Sequence, residues 1–274
     1  LAGACRSGAT SGARPVAVTD CLSLGSPEGP DSMWQLVEAI TGLADACQIL
    51  GVPVTGGNVS LYNGTGEAGK IDSSINPTPV VGVLGVLDDV ARATPSGWRE
   101  AGLSLYLLGT TRAELDGSVW SDVIHGHLGG QPPKLDLAAE KALGAILVNA
   151  SRDDLVDAAH DLSKGGLAQT LVDGVLRYGV GARVNLAGLL SRDGLDLATA
   201  LFSESTGRAL VAVPRSEEVR FADVCSARSY PVLRIGETIE AGESGAELDI
   251  VDAFTVSVAD LREASTATLA RYFG

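Results

Sequence analysis

The sequence predicts an enzyme-like fold of α/β or α+β class, built from two units. The chain has 274 residues, enough for two ordinary domains with a sizeable core. It contains 34 glycines, while aromatic residues make up only 4%, which indicates small-residue packing and many tight turns. Short apolar runs also alternate with longer segments of helical spacing. We predict units at residues 1–95 and 103–274, with a linker at 92–102.

The first unit begins with a strand predicted at residues 15–22, a buried β-branched run with Asp20 near its end. Residues 33–51 then show helical spacing and end at Gly51, the position of a helix-terminating glycine. The predicted apolar face of this helix carries Trp34, Val37, Ile40, Ala44 and Cys47.

Two short strands and one long strand complete the first unit. The strand at residues 52–57 is predicted to end in a corner at Gly56 and Gly57, where glycine permits a positive φ. A second strand follows at 59–63. Residues 77–90 form a continuous apolar run, which predicts a strand in the centre of a sheet.

The second unit is predicted to mix strands and helices. An apolar strand at 103–109 opens it, and residues 136–150 have helical spacing. Within residues 153–179, apolar helical runs lie on either side of a Ser-Lys-Gly-Gly break. Half-buried strands are predicted at 181–188, 208–214 and 230–240.

Composition restricts the partners and the compartment. The net charge of −14 argues against a nucleic-acid partner, because phosphate binding needs clustered Lys and Arg. The four cysteines form no CxxC pair, which favours reduced thiols and a cytoplasmic protein. No uninterrupted apolar run of about 18 residues occurs, so no contact with a membrane is predicted.

Residues 53–70, PVTGGNVSLYNGTGEAGK, match two common motifs by chance. Asn58 begins a glycosylation sequon, but no signal peptide precedes it. The GxxxxGK of residues 64–70 resembles a phosphate loop, but Ile71 replaces the Ser or Thr that would bind Mg²⁺. We therefore predict a hairpin or loop there, with Asn63-Gly64 as its turn.

Other polar residues at the predicted strand ends leave two interpretations open. Gly57 gives a ligand access to the backbone, Asn58 offers a weak Mg²⁺ ligand and Ser60 offers a hydroxyl. Asp20 emerges at the end of a buried strand, a common position for a group that contacts a metal or nucleotide. From spacing alone, an ordinary glycine turn and a capping Asp are the favoured explanations of these residues.

The HDLSKGG segment and Glu204 have similar alternatives. Asp161 or Ser163 could cap a helix, or the segment could form an anion or metal site at a helix N-terminus. Glu204, between two serines in LFSESTGR, is likewise either a cap or a ligand.

Several of these stretches together resemble one family. In order, they are VTDCLSLGSPE, VPVTGGNVSLYN, INPTPVVGVLGVLDDV, HGHLGG, HDLSKGGLA and LFSESTGR. They are similar to the second half of the large subunit of phosphoribosylformylglycinamidine synthase, over about residues 15–210. The resemblance implies an α+β fold: an N-terminal domain like that of aminoimidazole ribonucleotide synthetase, truncated at its start, followed by an α/β C-terminal domain.

The resemblance also implies a function. The family converts formylglycinamide ribonucleotide, ATP and ammonia into the amidine in purine biosynthesis. Its implied partners are the first half of the synthetase, a glutaminase subunit that supplies ammonia from glutamine, and a small bridging subunit. The family's catalytic His lies in the other half, so no catalytic residue is expected here, and the chain alone is expected to be incomplete. The alternative is a non-catalytic, pseudo-symmetric nucleotide-binding or structural half that stabilises a partner.

Residue by residue, the resemblance assigns four contacts. Asp20 and Gly57 match contacts to ATP, Asn58 matches a Mg²⁺ ligand, and Ser60 matches a contact to the ribonucleotide substrate. Asp161 and Glu204 match recurrent motif positions that suggest an auxiliary nucleotide or structural site. Two departures weaken that auxiliary role: Lys164 replaces the usual acidic residue of HDxS[D/E]GG, and Arg6-Ser7 replaces an Arg-Asn pair.

Overall fold

A computed structural model describes residues 1–66 and 73–273 of the chain. Its helices are α1 (Ala2–Thr10), α2 (Pro30–Leu50), α3 (Val119–His125), α4 (Leu137–Arg152), α5 (Gly166–Tyr178), α6 (Ala187–Asp193), α7 (Leu197–Phe202), α8 (Glu218–Ser226) and α9 (Val258–Phe273). The strands of the first part are β1 (Arg14–Ser23), β2 (Val54–Ser60), β3 (Gly64–Thr65), β4 (Ser73–Ser74) and β5 (Thr78–Val86). The later strands are β6 (Ser104–Leu108), β7 (Ala158–Asp161), β8 (Gly181–Val184), β9 (Ala209–Val213), β10 (Val232–Ile239), β11 (Glu247–Ile250) and β12 (Phe254–Ser257).

A seven-stranded sheet organises the second part of the chain, in the order β12-β11-β8-β10-β6-β9-β7. Helices cover both of its faces. Leu105 and Leu107 of β6 pack in one hydrophobic cluster with α5, α6 and α7, while Leu108 packs in the opposite cluster with α4 and α8. β9 is therefore buried along its whole length, so the prediction that it is half-buried is wrong.

A smaller sheet organises the first part, in the order β2-β1-β5. β1 pairs in parallel with β2 and antiparallel with β5. Helix α1 and the end of α2 cover one face, where Cys5, Val18 and Val52 form a cluster. On the other face Val80 and Leu84 of β5 are 57% and 62% exposed.

The apolar surfaces of this first part differ from the prediction. β1 and β5 are strands as predicted, but β1 is only partly buried, and β5 lies at the edge of its sheet rather than in the centre. On the predicted apolar face of α2, Trp34 is 65% exposed, and Val37 and Ile40 are also exposed. Apolar spacing indicates that a face will be covered, but it does not indicate by which part of a protein.

The prediction of a corner at Gly56 and Gly57 is also wrong. β2 runs unbroken through Gly56 and Gly57, and neither has a positive φ. Gly64 pairs with Ser74 in a short antiparallel ladder, so Gly64 begins a strand and Asn63-Gly64 is not a turn. Lys70 and Ile71 lie outside the described residues. Gly51 does end α2 in the left-handed conformation, as predicted.

Two further predictions in the second part need correction. Residues 158–161 form strand β7 rather than a helix, because a short apolar run has no period that distinguishes the two. The predicted linker is packed rather than loose. Trp98 is 2% exposed within the core, and its indole N–H donates to the carbonyl of Val180 at 2.9 Å. No helix in the described ranges is long and apolar enough to span a membrane.

We expect Gly174→Ala to destabilise the fold. A Cβ on Gly174, in α5, would lie 2.3 Å from the Trp98 ring, and overpacking a core costs about 1–3 kcal/mol. Urea unfolding followed by circular dichroism measures the change.

Gly42→Ala in α2 is the matched control. A Cβ there meets nothing within 4 Å, so the substitution should stabilise by about 0.4–1 kcal/mol through the unfolded state. Equal effects of the two substitutions would contradict the packing assigned to Trp98.

Candidate functional site

Asp20 and Gly57 lie side by side in the small sheet. They are direct partners in the parallel β1–β2 ladder. A Cβ on Gly57 would lie 2.3 Å from Oδ1 of Asp20, whereas one on Gly56 would meet nothing within 4 Å. Gly57 therefore leaves the space that the Asp20 carboxylate occupies. Asp20 shares its face of β1 with buried Val18, two residues earlier.

Asn58 and Ser60 point to the opposite face of the sheet, because successive residues of a strand alternate. Asn58 is opposite Cys21, and its Nδ2 lies 3.9 Å from the Cys21 sulfur. Ser60 donates to Oδ1 of Asn63 at 3.1 Å. The four predicted contacts thus form two pairs on opposite faces rather than one cluster. Asn58 and Ser60 share the open face with Val80, which is opposite Cys21 on β5.

The described residues do not form a complete Mg²⁺ site. No group of three or more His, Cys, Asp or Glu side chains suitable for a metal occurs among them. Asn58 is exposed and supplies one amide oxygen, while a Mg²⁺ site usually combines one or two carboxylates with waters and substrate phosphates in octahedral geometry. Asn58 by itself therefore does not make up the protein's share of such a site.

The HDLSKGG segment is held by hydrogen bonds within the protein. Ser163 donates to Oδ2 of Asp161 at 3.0 Å, and Nε of Arg6 lies 3.8 Å from the same oxygen. The residue at the N-cap of α5 is Gly165, so neither Asp161 nor Ser163 caps that helix, and this alternative is wrong. Lys164 is exposed.

Glu204 acts as a cap. Its Oε1 accepts hydrogen bonds from the backbone N–H groups of Gly165 at 2.8 Å and Val119 at 2.9 Å. Helix N-termini carry unpaired N–H groups and partial positive charge, which a carboxylate stabilises. One side chain therefore ties the start of α3 to the start of α5.

The structure contains a buried ion pair between Arg6 and Glu140 that the sequence analysis did not predict. Both side chains are about nine-tenths buried or more, and they are hydrogen-bonded to each other. Arg6 also donates to the carbonyl of Leu162 at 3.2 Å, and Glu140 accepts from the N–H of Gly207 at 2.9 Å. The signal was available: each lies on the apolar face of its helix, where a charge needs a partner.

Burial determines the protonation of this cluster. Loss of solvent raises the pKa of Glu140, while the Arg6 charge and the Gly207 N–H oppose that rise. Burial also raises the pKa of Tyr230, whose hydroxyl donates to the Gly207 carbonyl at 2.6 Å. Arg6 thus stabilises a carboxylate that its surroundings would otherwise protonate.

Two family models match this chain, one over the part that contains the small sheet and one over the part that contains the large sheet. The AIR synthase related protein family matches by its N-terminal domain over residues 1–87 and by its C-terminal domain over 100–249. The chain belongs to this family. The predicted α+β fold, with an N-terminal domain of this type followed by its C-terminal domain, is confirmed. The boundaries at residues 95 and 103 stay a prediction.

Curated relatives and solved structures agree with the family. The chain is 65% identical over its full length to phosphoribosylformylglycinamidine synthase subunit PurL of Renibacterium salmoninarum, and it spans 35% of that relative. It resembles T. maritima PurL complexed with FGAR, with a TM-score of 0.71, 22% identity and coverage of 95% of this chain and 41% of the other. T. maritima PurL complexed with ATP gives a TM-score of 0.67 at 22% identity, covering 95% and 40% of the two chains. The chain thus spans about a third of the length of the curated relatives that it matches.

We expect Arg6→Met to be strongly destabilising. It would leave the Glu140 carboxylate buried without its counter-charge, a loss of about 3–5 kcal/mol. Arg6→Met with Glu140→Gln should recover most of that stability, because the amide oxygen can still accept from Gly207. Urea unfolding of both variants measures the difference.

The loss of stability caused by Arg6→Met should depend on pH. Without Arg6 the folded-state pKa of Glu140 rises further above its unfolded value, so stability is highest at low pH and falls as pH rises through the folded pKa. The loss relative to the unmodified chain should be smaller at about pH 5 than at about pH 8. Arg152→Met, which removes an exposed pair with Asp153, is the control and should show little change. A loss independent of pH would contradict the role given to Glu140.

Proposed function

We propose that the chain supplies the second half of an ATP-dependent carbon–nitrogen ligase. The reaction converts formylglycinamide ribonucleotide and ammonia into formylglycinamidine ribonucleotide in purine biosynthesis. The observation that carries this proposal is the 65% identity over the full chain to a phosphoribosylformylglycinamidine synthase subunit. The ATP and FGAR complexes of similarly folded proteins support the proposed substrates. The free cysteines fit a cytoplasmic location.

In the proposed reaction, the amide oxygen of the substrate attacks the γ-phosphorus of ATP, and ADP leaves. Ammonia then adds to the activated carbon, and phosphate departs with the oxygen. Phosphoryl transfer depends on positioning and charge stabilisation more than on covalent chemistry by the protein. We propose that Asp20 and the Gly57 backbone bind ATP and that Ser60 contacts the ribonucleotide.

Asn58 is proposed as one ligand of a Mg²⁺ ion whose other ligands come from outside the described residues. A bound Mg²⁺ would neutralise phosphate charge. The exposed position of Asn58 on the open face of the small sheet supports a site that is shared with a partner.

The partner we propose for this chain is the first half of the synthetase. The open sheet face, with Val80 and Leu84, and the exposed face of α2, with Trp34, Val37 and Ile40, present apolar side chains to solvent. Exposed apolar side chains grouped on one face of an element are typical of protein interfaces. A glutaminase subunit that delivers ammonia and a small bridging subunit complete the proposed assembly. A solved PurLQS structure from Thermotoga maritima has a related fold.

A second candidate is a non-catalytic half that binds a nucleotide or stabilises its partner. The separation of Asp20 and Gly57 from Asn58 and Ser60, and the engagement of Asp161 by Arg6 and Ser163, favour it. Titration with ATP and Mg²⁺ discriminates: Asn58→Ala should weaken metal-dependent binding if the ligase site is present, and should do nothing if Asn58 is structural.

We expect the isolated chain to show no synthase activity. Mixing it with the remaining part of a PurL relative should restore ammonia-dependent formation of ADP and amidine product, measured by a coupled ADP assay. Addition of the chain without ATP is the blank. Activity of the chain alone would overturn the half-site proposal.

Substitution of the two adjacent glycines tests the ATP contact. Gly57→Ala should displace the Asp20 carboxylate and weaken ATP binding by about tenfold, which is about 1.4 kcal/mol. Gly56→Ala is the matched control and should bind ATP normally, because its Cβ enters open space. Calorimetric titration measures both. Equal affinities for the two variants would exclude Asp20 from the ATP site.

A further inference from the structure

A cavity lies between α1, the start of β1, the end of α2 and α4. Its volume is about 270 Å³. Much of its wall is apolar, formed by Cys5, Leu50, Val52 and Val148. None of Asp20, Gly57, Asn58 and Ser60 is among the described residues that line it. The cavity is therefore separate from the proposed ATP and substrate contacts.

Two cationic side chains, from different elements of the fold, line this cavity. Arg14 is the first residue of β1, and Lys141 lies on α4, where its Nζ donates to the carbonyl of Ile49 at 2.8 Å. Neither forms a salt bridge within residues 1–66 and 73–273. The cavity's other charges, Arg6 and Glu140, neutralise each other. Arg14 and Lys141 thus leave an excess of positive charge there.

This local excess has the opposite sign to the net charge of the protein. The chain carries a net charge of −14, with 34 Asp and Glu against 20 Lys and Arg. Asp88 and Asp89 line a neighbouring depression together with Arg14, yet form no salt bridge to it in the described structure. The guanidinium of Arg14 therefore keeps its donors free for another acceptor.

One face of α4 provides the remaining features. Lys141, Ala145 and Asn149 are four residues apart and follow each other along the helix. Gly144 and Ala145 are small, which leaves the volume open. Asn149 adds an amide that can both donate and accept a hydrogen bond. This face of α4 thus carries a positive charge, small residues that leave room for a ligand, and an amide that can form hydrogen bonds.

We propose that this cavity binds a small organic anion. Its flat apolar body would lie between the apolar wall and the small residues of α4, and its carboxylate or phosphate group would lie between Arg14 and Lys141. Ligand cavities are mostly apolar with a few placed polar groups and usually measure about 300–1,000 Å³. A cavity of about 270 Å³ suits an aromatic acid or a nucleoside monophosphate.

Calorimetric titration of the 274-residue chain with benzoate, adenosine monophosphate and inorganic phosphate tests the proposal. One of the two organic anions should bind more tightly than phosphate, and which one does so identifies the anionic group. Arg14→Ala and Lys141→Ala should each weaken that binding about tenfold through loss of a charged hydrogen bond. Arg228→Ala, an exposed cation outside the cavity, is the charge-matched control and should leave it unchanged.

A further variant distinguishes binding inside the cavity from nonspecific attraction of an anion to the two cations. Ala145→Trp fills the space without changing any charge, and it should abolish binding while far-UV circular dichroism stays unchanged. The proposal is overturned if neither organic anion binds better than phosphate, or if binding persists in the Arg14 and Lys141 variants. Should the tryptophan variant fold poorly, the two charge variants decide the result.

Discussion

The buried arginine at position 6 is the constraint on which the rest of this chain depends. A guanidinium keeps its charge when buried, so its surroundings must compensate it. Glu140 of α4, the Leu162 carbonyl and, at longer range, Asp161 of β7 do so. Helix α1 also contributes Cys5 to the cluster under the small sheet and Ala9 to the cluster under the large sheet. The ion pair therefore fixes a helix that, among the described residues, belongs to both cores.

The two sheets around α1 differ in how they use their faces. The seven-stranded sheet has helices on both sides and forms a closed core, which suits a rigid support. In the part of the chain that the structure describes, the three-stranded sheet is covered on one side only and presents Val80, Leu84, Asn58 and Ser60 on the other. Polar groups with a proposed chemical role thus lie among apolar side chains on a free surface. An active site completed by a second polypeptide needs such a surface.

The sequence predicted elements better than it predicted their surroundings. β6, α4, α5 and the end of α2 at Gly51 followed from period and capping, which are local properties. The exposure of Trp34 and the edge position of β5 did not, because an apolar pattern does not identify what covers it. Arg6 and Glu140 are 134 residues apart, and no local pattern pairs them. The family resemblance supplied Asp20, Gly57, Asn58 and Ser60, but only strand register shows that they occupy two faces.

The register of β1 against β2 also determines how Asp20 is held. Its carboxylate lies in a space left by a missing side chain on the adjacent strand, within a ladder of backbone hydrogen bonds rather than on a loop. In the proposed contact with ATP, a group placed in this way would lose little conformational freedom on binding, so less of the interaction energy would be spent on ordering the protein. The absence of one carbon atom at Gly57 is thus a form of preorganisation, built into the sheet before any ligand binds.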